Sequence, residues 1–332
     1  MADDDVLSSP KSERVRKAAS LASAKGRRRA GLFLAEGPQP VREALRAWLA
    51  AHETSGEAGS DMPAGRSGPG ESPPSMWIPQ LDALYFDPEA LERHRDVQTL
   101  LDRVRGVLFD PQADLPQGAR IFLREATPEV LTAMGDAETS QGIIAVCRIP
   151  QPQELPEGAA LAAALLRVQD PGNAGTIIRV ADAAGADAVL LTPGSVDPWA
   201  PKVVRSAAGS HFHLPLITGM EAGPATADAA RRGMQVLAAD AAGETSLDQL
   251  RGTPSEPGEG TIGGVPPLEL EDTVKGSAPT MWLFGNEVQG LAAQERELAD
   301  VVVSIPLYGQ AESLNVATAA ALCLYTTAMA QH

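Results

Sequence analysis

Cysteine, histidine and aromatic residues are all scarce in this 332-residue chain, with two Cys, five His and 4% Phe, Trp and Tyr. Cys147 and Cys323 cannot build a disulfide scaffold. Both stand in apolar runs, which predicts inert core thiols and a reducing compartment. With so few aromatics, the 44% of hydrophobic residues must form cores chiefly from Ala, Val, Leu and Ile. No run approaches roughly 18 consecutive apolar residues, so no membrane span is expected. MADDDVLSSP (1–10) lacks the basic-then-apolar order of a signal peptide, and a cytoplasmic protein is expected.

Basic residues are also outnumbered, 27 against 43 acidic, for a formal charge of −16. As a mean this argues against a nucleic-acid partner, but the distribution is uneven. Residues 11–29 hold Lys11, Arg14, Arg16, Lys17, Lys25, Arg27, Arg28 and Arg29 against Glu13 alone, a local charge of +7. Such a segment can bind phosphates whatever the total, although a solvated helix face is the alternative.

Composition divides the chain. From Lys11 to about Ala51 the pattern reads helix, break, strand, helix. Val15, Ala19 and Leu21–Ala22 recur at helical spacing, Lys25–Arg29 interrupts, and GLFLAEG (31–37) reads as a buried strand. Pro40 opens the next helix. Residues 54–75 hold 14 Gly, Pro or Ser in 22 positions and read as a disordered insertion. Strand and helix signals resume at 83–86, 88–94, 106–109, 120–123 and 128–134, and end with GIIAVCRI (142–149). Residues 11–150 are therefore expected to form a small α/β domain.

PQPQELPEG (150–158) reads as a linker. Beyond it, strand 161–169, the turn DPGNAG, a helix and strand 186–192 make a βαβ unit, which predicts a parallel sheet covered on both faces. Further strands are expected at 213–217, 235–239, 280–284 and 301–305, with a second insertion at 251–279. A last helix from near Ser313 to about Ala330 closes a second domain over 159–330.

Three motifs in that second half carry chemistry. Gln169-Asp170-Pro171-Gly172-Asn173-Ala174-Gly175 lies between strand and helix, where phosphate-cradling turns occur, but it lacks the G-x-G-x-x-G of a dinucleotide site. It presents Asn173, with Arg179 inside the following apolar helix. A buried ion pair of Arg179 with Asp182 or Asp187, and Asn173 as a plain cap, are the alternatives. Leu283-Phe284-Gly285-Asn286-Glu287-Val288-Gln289-Gly290 follows an apolar strand, so Glu287 stands where α/β folds bind ligands. Ile305-Pro306-Leu307-Tyr308-Gly309-Gln310-Ala311-Glu312-Ser313-Leu314-Asn315 leads into an Ala-rich helix that Ser313 could cap. His211 and His213 form an H-x-H pair without further ligands at a convincing spacing, and no metal is expected.

In this order, the three motifs resemble those of the SpoU/TrmH family of RNA ribose 2′-O-methyltransferases, in the SPOUT superfamily. The resemblance includes Asp197-Pro198 and Lys202-Val203-Val204-Arg205-Ser206, and extends more loosely to Arg14–Glu36 and SQGIIAV (140–146). It implies an α/β protein whose C-terminal SPOUT methyltransferase domain is a deep trefoil knot and whose N-terminal α/β domain is L30e-like. It also implies S-adenosylmethionine as cofactor and a homodimer through the knotted domain. The RNA partner is expected to be ribosomal in preference to transfer RNA. A non-catalytic RNA-binding or ribosome-assembly factor that retains the fold is the rival reading.

The resemblance assigns catalytic or RNA-positioning roles to Asn173, Arg179, Glu287, Ser313 and Asn315. It assigns cofactor contacts to Phe284, Gly285, Ile305, Leu307 and Leu314. RNA contacts are expected at Arg14, Lys17, Arg27, Arg28, Arg29, Lys202 and Arg205. The glycine that some members carry after the second-motif Glu is Val288 here. No His lies in the motifs, and a guanidinium with a pKa above roughly 12 is a poor base. Arg179 is thus expected to bind a neighbouring phosphate and stabilise the developing alkoxide.

Overall fold

A computed structural model of the chain describes residues 6–52, 77–113, 115–250 and 274–332. The expected insertion 54–75 and most of 251–279 lie outside the described residues.

Two sheets organise the molecule. The first has four strands, β1 (Leu32–Glu36), β2 (Gln80–Phe86), β3 (Phe122–Glu125) and β4 (Ile143–Arg148), in the order β1-β4-β2-β3. Strand β4 runs antiparallel to β1 and β2, while β2 and β3 are parallel. Around it lie α1 (Glu13–Ala19), α2 (Ala24–Ala30), α3 (Pro38–His52), α4 (Pro88–Glu92), α5 (Arg95–Leu108) and α6 (Pro128–Met134).

Two expectations in this half are corrected. Lys25–Arg29 is a helix, not a break, because the Ser23 hydroxyl caps its start and Gly31, at φ 65°, caps its end. Gly106–Phe109 is the end of α5, not a strand. Val97, Leu100, Leu101 and Val104 recur on its single buried face.

The second sheet has seven strands: β5 (Leu161–Leu165), β6 (Ala188–Leu191), β7 (Leu216–Thr218), β8 (Gln235–Ala239), β9 (Thr245–Ser246), β10 (Thr280–Phe284) and β11 (Val301–Ser304). Their order is β7-β6-β5-β10-β8-β11-β9, and every pairing is parallel. The connections carry α7 (Pro171–Ala183), α8 (Pro201–Ser206), α9 (Ala222–Arg231) and α10 (Ala293–Arg296), and α11 (Val316–Gln331) ends the chain. Both faces are covered, as the apolar strand runs require. Ala162, Ala164, Leu190, Met281 and Leu283 pack into one core with α9, while Ala163, Leu165, Val189, Trp282 and Phe284 pack into another with α7 and α11. The Trp282 indole N–H donates to Thr327 on α11. No helix among the described residues is long and apolar enough to cross a membrane.

The two sheets share a hydrophobic core. Phe33 of β1 lies 4.8 Å from the Trp199 ring and 6.3 Å from both His211 and Phe212. His211 is fully buried, with Nε2 2.8 Å from the Pro198 carbonyl and Nδ1 without a partner among the described residues. The neutral ring with its proton on Nε2 fits this environment, and burial lowers the pKa to about 4.

The ring resists a proton that the unfolded chain accepts near its ordinary 6.5. Its contribution is therefore complete above pH 6.5 and lost as pH falls toward 4, about 3 kcal/mol in all. Urea midpoints measured between pH 7 and pH 4.5 are expected to fall less for His211→Asn than for wild type. Equal slopes would remove this ring from the acid response.

Candidate active site

The C-terminal ends of β5, β10 and β11 bring three loops together, one from each motif. In the first, the Asp170 carboxylate accepts the Asn173 N–H at 2.8 Å and so caps α7, with Pro171 at its first position. Asn173 itself is not the cap, and its side chain is directed elsewhere. Gly175 lets α8 close in, since a Cβ there would lie 2.5 Å from the Ser206 Cβ.

In the second loop, the Glu287 carboxylate accepts the N–H groups of Asp170 and Gln169 at 2.9 and 3.1 Å. It also accepts the Asn173 amide at 3.3 Å. The turn beneath it is held by Asn286, whose side-chain oxygen accepts the N–H groups of Val288 and Gln289 and whose amide donates to the Arg167 carbonyl. A Cβ on Gly285 would lie 2.4 Å from the Gly290 carbonyl carbon, so this turn excludes any larger residue. Val288 is 93% exposed and does not adopt positive φ, so its β-branched side chain is accommodated.

The third loop delivers Asn315. Its side-chain oxygen accepts the Ala317 and Thr318 N–H groups, making Asn315, not Ser313, the cap of α11. That fixes its amide toward Asn173, whose oxygen it reaches at 2.9 Å. Ser313 is exposed on the approach to the helix. A continuous chain thus runs from Asn315 through Asn173 to Glu287. Partial burial works to raise the Glu287 pKa, but the Asp170 and Gln169 N–H groups, with Asn173, outweigh it and hold the carboxylate ionised.

Arg179 is exposed and has no hydrogen bond or ion pair among the described residues. Thr176, three residues before it on α7, is exposed as well, and Asn173, three residues earlier again, is half-buried. Neither suggested partner holds it. Asp182 binds His213 at 2.7 Å, and Asp187 accepts the Ala160 and Leu161 N–H groups.

The remaining expected positions separate. Gly285 is buried at the turn, Ile305 and Leu314 are half-buried, and Leu307 is 40% exposed. Phe284 does not reach a ligand with its side chain. It is stacked against Trp282 in the core, and its carbonyl accepts the Leu166 N–H. Lys17, Arg28, Arg29 and Lys202 are exposed, and the exposed Arg14 lays its guanidinium 3.7 Å over the Phe122 ring.

Arg27 is not available to RNA, being only 3% exposed. It donates to the Leu21 and Ala22 carbonyls and pairs with Asp197 at 2.6 Å, linking the two sheets. Arg205, half-buried, is likewise engaged by Glu36 at 3.2 Å and Asp136 at 3.0 Å. Burial pushes the thiols of Cys147 and Cys323 far above their ordinary range, consistent with unreactive core residues.

Arg167 joins the site from outside the three motifs. Arg167 sits at φ 58°, a strained conformation for a non-glycine. Its side chain pairs with Glu295 and reaches Gln289 at 3.4 Å, tying the first loop to the second. No local signal marks it, since these partners are more than a hundred positions away. Asn286 did have a signal, an Asx turn implied by an Asn between two glycines.

The chain is similar to known proteins over much of its length. A 23S rRNA (guanosine(2553)-2′-O)-methyltransferase of Bacillus subtilis is 36% identical over 217 residues, 64% of this chain and 74% of its own length. A 23S rRNA (uridine(2479)-2′-O)-methyltransferase of Streptomyces viridochromogenes is 34% identical over 233 residues, 67% and 75% of the two chains. The solved structure of the SpoU methyltransferase AviRb from Streptomyces viridochromogenes with AdoMet shares the fold, with a TM-score of 0.65 at 24% identity over 96% of this chain and 98% of that one. The sequence profile of the SpoU rRNA methylase family matches residues 160–325, and the chain belongs to that family.

Proposed function

We propose that this protein transfers a methyl group from S-adenosylmethionine to a ribose 2′-hydroxyl of structured RNA, ribosomal RNA in the first instance. The observation that carries this reading is the Asn315–Asn173–Glu287 chain assembled from three loops, with Arg179, unpaired among the described residues, further along the same helix as Asn173. The two relatives named above, both 23S rRNA 2′-O-methyltransferases, support the reaction and the class of RNA. No feature of the site favours transfer RNA. The intact polar chain argues against a non-catalytic assembly factor.

The residues present fit the cofactor. A nucleoside needs a close backbone approach and apolar walls, supplied here by the Gly285 turn and by the partly exposed Ile305, Leu307 and Leu314. When bound, S-adenosylmethionine supplies an electrophilic methyl group on a sulfonium. Holding the hydroxyl in line with that group provides much of the acceleration, and three loops fixed to one sheet are suited to hold it. Arg179 binds the phosphate beside the target ribose and stabilises the oxygen as it loses its proton. Ser313 and Asn315 line the approach, with Asn315 holding Asn173 in place.

Residues 11–150 would form an L30e-like substrate-binding domain and residues 159–330 a methyltransferase domain with a deep trefoil knot. The insertion of β10 between β5 and β8 and the packing of the terminal α11 on α7 support the second assignment. A homodimer is supported by Leu322, Tyr325 and Met329, an apolar stripe on α11 that is 39% to 66% exposed.

Calorimetry with S-adenosylmethionine, and mapping of 2′-O-methyl groups on unmodified ribosomal RNA incubated with protein and cofactor, test the proposal. Failure to bind cofactor would favour the assembly factor. Arg179→Lys is expected to lower the single-turnover rate at least tenfold, because an ammonium cannot reproduce the planar fork. A near-native rate in that variant would remove the fork-specific role.

A further inference from the structure

Arg179 stands unpaired among the described residues although Asp182 lies three residues further along α7. Residues at that spacing are neighbours on a helix face, with Cβ atoms about 5–6 Å apart, and opposite charges there ordinarily meet. Here the Asp182 carboxylate accepts from His213 Nδ1 at 2.7 Å instead. The other ring nitrogen of His213 is 3.2 Å from the Glu43 carboxylate of α3. His213 follows α8 in the chain and bridges a helix of the first sheet to the helix that carries the active-site Arg.

We propose that His213 is a positioning residue for Arg179: by engaging Asp182, it withholds the nearest competing carboxylate and leaves the guanidinium available to an RNA phosphate. This rests on the function proposed above and assigns one part of it to a residue outside the three motifs.

The geometry requires both ring nitrogens to donate, since each faces a carboxylate. The imidazolium is accordingly favoured: the hydrogen bonds to Asp182 and Glu43 outweigh burial and raise the pKa to about 9. Among the charged groups around it, Arg46 pairs with Glu43 at 2.9 Å, and Arg42 lies close enough to lower the Glu43 pKa. Glu43 is thereby balanced from its own helix. Among the described residues, His213 is the one cation paired with Asp182, so loss of the ring would release a carboxylate three residues along the helix from Arg179.

The test compares single-turnover methylation of in vitro transcribed ribosomal RNA by the full chain and four variants. His213→Ala is expected to slow the reaction about threefold to fivefold, the range set by one partly exposed ion pair. His213→Ala combined with Asp182→Asn is expected to recover the wild-type rate, because the competitor is gone. His213→Lys, which returns a cation to Asp182, and Glu43→Gln, which leaves the His213–Asp182 bond in place, should both stay near wild type.

Several results would overturn the proposal. They are a wild-type rate for His213→Ala, a double variant as slow as His213→Ala, or a Glu43→Gln loss equal to that of His213→Ala. The last would show that His213 serves domain docking alone. If His213→Ala does not fold, a slow His213→Lys variant of wild-type thermal stability overturns it as well. A crystal structure of His213→Ala reads the same question without activity: an Arg179–Asp182 ion pair is expected, and an unpaired Arg179 contradicts the idea. A wild-type protein that methylates no ribosomal RNA defeats the functional reading and leaves this structural arm standing.

Discussion

Glu287→Gln is expected to lower the single-turnover rate of methyl transfer by about a hundredfold, a loss typical of removing one preorganised electrostatic group. In the wild type the ionised carboxylate accepts two backbone N–H groups of the first loop, at 2.9 and 3.1 Å, as well as the Asn173 amide. A Gln side chain offers one oxygen and one NH2, so a donor must face a donor at one of these positions. The turn at Gln169–Asp170 then relaxes, Asn173 loses its orientation, and its contact to Asn315 is lost with it. The global fold should survive, because the half-buried carboxylate lies in a loop beyond the C-terminal end of β10 and not in the core. A rate within threefold of wild type would show that Glu287 is not the group on which the loops converge. Unfolding at the wild-type urea midpoint would confirm that the loss is local.

Arg27→Ala is expected to cost about 3 kcal/mol of stability, the low end for breaking a buried ion pair from one side. The guanidinium is almost wholly buried and satisfies three acceptors, the Leu21 and Ala22 carbonyls and the Asp197 carboxylate. Truncation leaves all three without their donor at the junction between the two sheets. Arg28→Ala, one residue away on the exposed face of α2, should stay within about 0.5 kcal/mol of wild type. Urea midpoints with unchanged m-values measure both variants. Equal midpoints would mean that water replaces Arg27 at the junction. RNA affinity should respond in the opposite order, since Arg28 can reach a phosphate and Arg27 cannot.

These two neighbours show what a sequence can and cannot disclose. The strength of the basic segment, +7 over residues 11–29, is a property of composition. Which of its members face water depends on α2, whose capping Ser23 and Gly31 turn an apparent break into a helix with one buried side. The partner of Arg27 is 170 positions away, beyond any local pattern. Arg205 is tied in the same way to Glu36 and Asp136.

The parallel sheet is legible in the sequence, through apolar runs buried on both faces, and so are three candidate loops, through glycines and polar residues at strand ends. The sequence also determined that Arg179 needs a reason to stand in an apolar helix. The three-dimensional contacts alone establish that Asn315 caps α11, that Asp170 and not Asn173 caps α7, and that Arg167 joins two loops in a strained conformation. They alone establish that His213 occupies Asp182. Hydrophobic periodicity and turn chemistry act over a few residues and can be read along the chain. Hydrogen bonds and ion pairs between distant segments depend on which surfaces the fold brings within about 3 Å of each other.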